Sequence, residues 1–165
     1  MDKILKLLND NAHYTDADIA VMLGMEEKEV SEHIRKLEKD GIICGYKPVV
    51  DWEKEDSTLV TALIEIKVIP KQDEGFESIA EQIMMFEEVE SVYLMSGGFD
   101  LAVMVQGRTF RDVAMFVAKR LAPIDSVQST ATHFVLRRYK ELGVKLSSGD
   151  EDDRSFIIKS SLYLI

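Results

Sequence analysis

The chain has 165 residues, 46% apolar and 30% charged, a soluble globular composition that excludes disordered and fibrous classes and leaves room for one medium domain or two small ones. No apolar run approaches the ~20 residues that span a bilayer, so neither a membrane segment nor a signal peptide is expected, and the single cysteine, Cys44, excludes disulfide and zinc scaffolds and points to a reducing cytoplasm. The net charge of −10 is uneven, with 8 Lys and Arg against 14 Asp and Glu in residues 1–56, so any nucleic-acid binding needs a local basic face and is steeply salt dependent.

Ile4, Leu5, Leu7 and Leu8 form the apolar stripe of a first short helix, broken at Asn9-Asp10-Asn11. Thr15 is an N-cap with Asp18 three residues on, Ile19, Ala20 and Leu23 share the face that follows, and Gly24 ends this second helix. A third helix runs from about Glu26 to Asp40 with Val30, Ile34 and Leu37 inward and Gly41 at its end. Two helices joined by a tight glycine turn are a helix-turn-helix. Residues 42–50 contain Gly45 and Pro48 and read as a small wing hairpin or connecting strand.

Residues 51–57 are charged and lack periodicity, and mark a linker between a domain at 1–50 and another at 58–146. In the second, Leu59–Ile69 alternates as a strand and Phe76, Ile79, Ala80, Ile83 and Phe86 mark a helix. Val89–Ser96 and Phe99–Gln106 are strands joined at Gly97-Gly98. Phe110, Val113, Ala114, Val117 and Leu121 mark a second helix, and Val127–Tyr139 a fourth strand. The order βαββαβ is ferredoxin-like, an antiparallel sheet with helices on one face and the other face free to pair with a second subunit. Residues 147–165 are an acidic linker and an apolar C-terminal tail, the latter expected to pack on its own or a neighbouring subunit. The fold class is therefore α+β.

This order, with Asp2, Ile4-Leu5 and Leu8, Asp18-Ile19-Ala20, Leu23-Gly24-Met25, Val30, Ile34, Leu37-Glu38 and Gly41-Ile42-Ile43, resembles the Lrp/AsnC, or feast/famine, transcription regulators. Gly97-Gly98-Phe99-Asp100-Leu101 is similar to that family's glycine hairpin, and residues 130–136 to its last strand. The resemblance covers about residues 2–140 and implies a winged helix-turn-helix followed by a RAM-type ferredoxin-like domain. It further implies a homodimer of facing sheets, assembly into octamers, and an amino acid or related metabolite bound near the hairpin between dimers. Paired helix-turn-helix units would then read two half-sites of double-stranded DNA.

The candidate DNA contacts are Lys28, Ser31, Arg35 and Lys36 on the third helix and Lys47 after it. Against them stand Glu26, Glu27, Glu29 and Glu32, which favour the helix macrodipole but repel phosphate, although a glutamate can also accept from cytosine N4. The candidate effector residues are Gly97, Gly98, Phe99 and Asp100, with Thr130 and Thr132 lining the same cleft. Gly97-Gly98 also satisfies a tight turn on its own, and Asp100 reads equally as a ligand carboxylate or as a local cap. Cys44 reads as a buried small hydrophobe rather than a nucleophile, and the methionines, among them Met84, Met85, Met95, Met104 and Met115, as core or interface filling. No metal or cofactor is called for, and no nucleophile-base pair supports an enzyme. The alternative to a DNA-binding regulator is a ligand-sensing or protein-interaction module of the same fold.

Overall fold

The computed structural model describes residues 2–55, 58–69 and 75–146; the expected tail at 147–165 and most of the turn after the first strand lie outside the described residues. Two compact units divide the chain, the first ending at Pro48 and the second beginning at Val49.

In the first unit α1 spans Lys3–Asp10, α2 Asp16–Leu23 and α3 Glu27–Lys39. Each helix start is set by local chemistry. Asp2 caps α1, its Oδ1 accepting from the Ile4 and Leu5 amides at 2.9 and 3.1 Å. Thr15 and Asp18 form a reciprocal capping box on α2, and the hydrogen bonds from Thr15 hold the Asp18 carboxyl below its ordinary range. Gly24 closes α2 at φ 65, a left-handed conformation costly for other residues, and so aims α3. Ile4, Leu8, Ile19, Ala20, Val30 and Ile34 bury one core, with Ile43 packed at its margin.

The segment after α3 differs from expectation. Residues 42–50 pair with no strand, so neither a hairpin nor a ladder strand forms there. Cys44 is exposed rather than buried, because Ile43 turns to the core and its neighbour must then face outward. Its Sγ donates to the Gly41 carbonyl at 3.1 Å.

The second unit opens with one helical turn, α4 at Trp52–Glu55, inside the stretch read as a linker. Then follow β1 Val60–Val68, α5 Phe76–Met84, β2 Val89–Leu94, β3 Leu101–Gly107, α6 Phe110–Phe116 and β4 Val127–Phe134. The sheet order is β2-β3-β1-β4 and every pair is antiparallel. Ala62, Ile64 and Ile66 of β1, opposite Val105, Val103 and Leu101 of β3, bury against Ile79, Ile83, Val113, Phe116 and Leu121 from the helices. The intervening residues Leu63 and Glu65 pair with Met104 and Ala102 on the opposite face, which the helices leave open.

Several boundaries moved for physical reasons. After Phe116 the helix widens into a π turn at Val117–Leu121, the Ala122 amide reaching back to the Val117 carbonyl at 2.8 Å. Strand β4 stops at Phe134 instead of Tyr139, because its partner β1 begins at Val60 and offers no further ladder bonds beyond the one from Val135 to Thr61. A short hairpin of β5 Lys140–Glu141 and β6 Val144–Lys145 follows. Met84, Met85, Met95 and Met115 are exposed and fill no core, since Ile79, Ile83, Val113 and Phe116 already occupy the inward helix positions; Phe110 is exposed as well, leaning edge-on against Phe134.

The Asp2 cap also ties α1 to α3, because its second oxygen lies 2.5 Å from Nε2 of His33. That hydrogen bond, helped by the Leu5 and Ile4 amides and opposed by burial, holds the Asp2 carboxyl below the ordinary 3.8. A lowered folded-state value makes the contribution complete above the unfolded pKa and lost progressively below it, as pH falls through the folded-state pKa. Asp2→Ala is therefore expected to cost about 1 kcal/mol at neutral pH, and the gap from wild type to narrow from about pH 5 downward, read by chemical denaturation across pH.

Candidate functional site

The third helix brings four of the five expected DNA contacts onto one element. Burial of Val30, Ile34 and Leu37 turns Lys28, Arg35 and Lys36 to solvent, with Ser31 half-buried at the edge. Lys47 is exposed beyond the helix. Its neighbour Tyr46 donates its hydroxyl to Glu38 Oε1 at 3.0 Å, anchoring this unpaired segment back onto α3. Burial, with Glu38 beside it, raises the Tyr46 phenol above its ordinary value, so it stays a donor. Ser31, Arg35, Glu38 and Tyr46 edge a cleft of about 340 Å³ whose other wall comes from Leu8, Ala12, Tyr14 and Asp16.

The acidic residues share this surface. Glu27 and Glu29 sit in the first turn of α3 and Lys36 and Lys39 in the last, an order that complements the helix macrodipole. Lys28 and Glu32 pair at 3.9 Å. The face is thus of mixed charge, not a continuous basic stripe.

At the glycine hairpin, Gly97 and Gly98 are exposed and Phe99 and Asp100 half-buried. Gly97, at φ 153, lies in the region that favours glycine, as the turn between β2 and β3 requires. Asp100 has local work. Its amide donates to the Ile66 carbonyl at 3.0 Å, its carbonyl accepts from Met95 at 2.8 Å, and its Oδ2 accepts from the Val68 amide at 2.8 Å. The side chain thereby replaces a ladder partner where β3 gives way to the turn, next to a bulge at Lys67 and Val68. Thr130 and Thr132 pair with Ile66 and Ile64 on β4. They lie across β1 from the β3 end of the hairpin, about 10 Å away by strand spacing.

Other contacts had no signal in the sequence. Arg120, on the π turn, donates from Nη1 to Glu88 at 3.0 Å and stacks 4.3 Å over the Phe86 ring. Arg138 donates to the Thr61 hydroxyl on the open face of the sheet, and its amide to Glu53 at 3.1 Å. Such pairings join residues dozens of positions apart, beyond the reach of periodicity or spacing.

Two family matches fall on these units. Residues 3–43 match the winged helix-turn-helix DNA-binding family, and residues 61–144 the Lrp/AsnC ligand binding domain. The chain belongs to the Lrp/AsnC family. It is 46% identical over 153 residues to the HTH-type transcriptional regulator YugG of Bacillus subtilis, covering 92% of each chain. To the leucine-responsive regulatory protein of Haemophilus influenzae it is 26% identical, covering 84% of this chain and 83% of that one. A solved transcriptional regulator of Neisseria meningitidis, crystallised as an L-Met complex, shares the fold at TM-score 0.70 and 22% identity over 89% of this chain and 96% of its own. The first two relatives are named as an HTH-type transcriptional regulator and a regulatory protein. Among the described residues no helix is long and apolar enough to cross a membrane.

Asp100→Ala leaves the amide of buried Val68 without its acceptor. The expected result is a loss of about 1–2 kcal/mol in the second unit and faster amide exchange at Val68 than at Ile66, read by NMR.

Proposed function

We propose that this chain regulates transcription by binding double-stranded DNA as a homodimer or larger assembly, under the control of an amino acid or related metabolite bound between dimers. The observation that carries the reading is the joint match of a DNA-binding unit and a ligand-binding unit in one chain. In this reading Arg35, Lys36 and Lys47 meet phosphates, Lys28 and Ser31 lie beside them, and the hairpin from Gly97 to Asp100, with Thr130 and Thr132, holds the effector between dimers. The L-Met complex of the Neisseria regulator supports an amino acid as the effector class.

The open sheet face supports self-association. It carries Leu63, Met104 and the Glu65–His133 pair at 3.3 Å, apolar and polar groups that the chain's own helices leave uncovered. An effector shifts this assembly by no more than its difference in affinity between the two states. The acidic first turn of α3 favours a second reading, an effector-sensing module with little DNA binding.

Anisotropy titration of the full chain on DNA from upstream of its own gene, at low salt and with each of the twenty amino acids, separates the two. Binding that weakens steeply with salt is expected, and Lys47→Ala should lower the salt slope by about one per protomer. Absence of binding under every condition, in protein shown to be folded, supports the second reading.

A further inference from the structure

Helical spacing stacks Lys28, Glu32, Arg35 and Lys39 into one row at i, i+4, i+7 and i+11, opposite the buried Val30, Ile34 and Leu37. The Lys28 and Glu32 side chains are 86% and 65% exposed, so their pairing adds little to stability. A carboxylate in the middle of a basic row weakens attraction to phosphate. It also contributes what the flanking cations lack, a group that only accepts hydrogen bonds.

In the major groove cytosine presents the N4 amino group as a donor. Guanine and thymine present acceptors, which repel a carboxylate, and adenine sets its N6 donor beside the N7 acceptor. An acceptor-only side chain therefore selects cytosine. We infer that Glu32 is a specificity-determining residue, its carboxylate accepting from cytosine N4 while Lys28 and Arg35, one turn to either side, donate to the neighbouring guanine edge or phosphates. This rests on the DNA-binding reading above and deepens it, adding that each half-site holds a C·G pair at a fixed place.

Selection of binding sites from a random duplex library by the full chain tests this, with Glu32→Gln and Glu27→Gln run in parallel. Glu27 is exposed and lies on the row of Ser31, Ile34 and Glu38, so its variant removes the same charge away from the proposed contact. Wild type is expected to enrich cytosine at one position per half-site. Glu32→Gln should shift that position toward adenine, which glutamine matches at N6 and N7, with about a tenfold loss of discrimination for cytosine. Glu27→Gln should raise affinity on all sequences and leave the preference intact. If both variants raise affinity uniformly and the preference survives in Glu32→Gln, Glu32 only repels phosphate and the inference is overturned. If wild type enriches nothing, the DNA-binding reading itself falls and takes this one with it. Circular dichroism of both variants confirms that α3 remains folded.

Discussion

Strand β1 governs the second unit. It is hydrogen-bonded on both edges, to β3 and β4, while Ala62, Ile64 and Ile66 are fully buried beneath the helices. Because side chains alternate with period two, a slip of one residue would bury Glu65 and expose Ile64, so the register has no neighbouring alternative. The hairpin, the open face and the position of Thr130 all inherit their places from it. Asp100 belongs to the same constraint, since its carboxylate completes β1 at Val68 after β3 has turned away.

That architecture was largely legible in the sequence. Val30, Ile34 and Leu37 showed the inward face of α3 by their spacing, Thr15 with Asp18 showed the start of α2, and the alternation in β1 showed which residues meet the helices. Where an element ends because its partner ends, as β4 does, the cause lies on another strand and no local signal exists. Cys44 misled for a related reason: it sits in an apolar stretch, yet only Ile43 there reaches the core. Four of the five candidate DNA contacts were legible as a group because one helix carries them, while Lys47 lies beyond it. The candidate effector residues were legible only as a motif, and their separation across β1 follows from strand order, which pattern alone does not supply.

Electrostatics set the character of the first unit. Carboxylates at the start of α3 and lysines at its end stabilise the helix from within, so the charges that hold the element together are also those an approaching polyanion would meet. Helix stability and ligand attraction therefore pull in different directions on the same few side chains. The Asp2–His33 contact lies outside this conflict and fixes α1 to α3 through a hydrogen bond instead.

Cys44 has a practical consequence. It is the chain's lone thiol, it is exposed, and it sits five residues beyond the end of α3. A maleimide dye or nitroxide placed there would label each polypeptide once, at native sequence, close to its third helix. In an assembly of several copies, energy transfer or electron–electron dipolar coupling between those labels would act as a molecular ruler for how far apart the first units are carried.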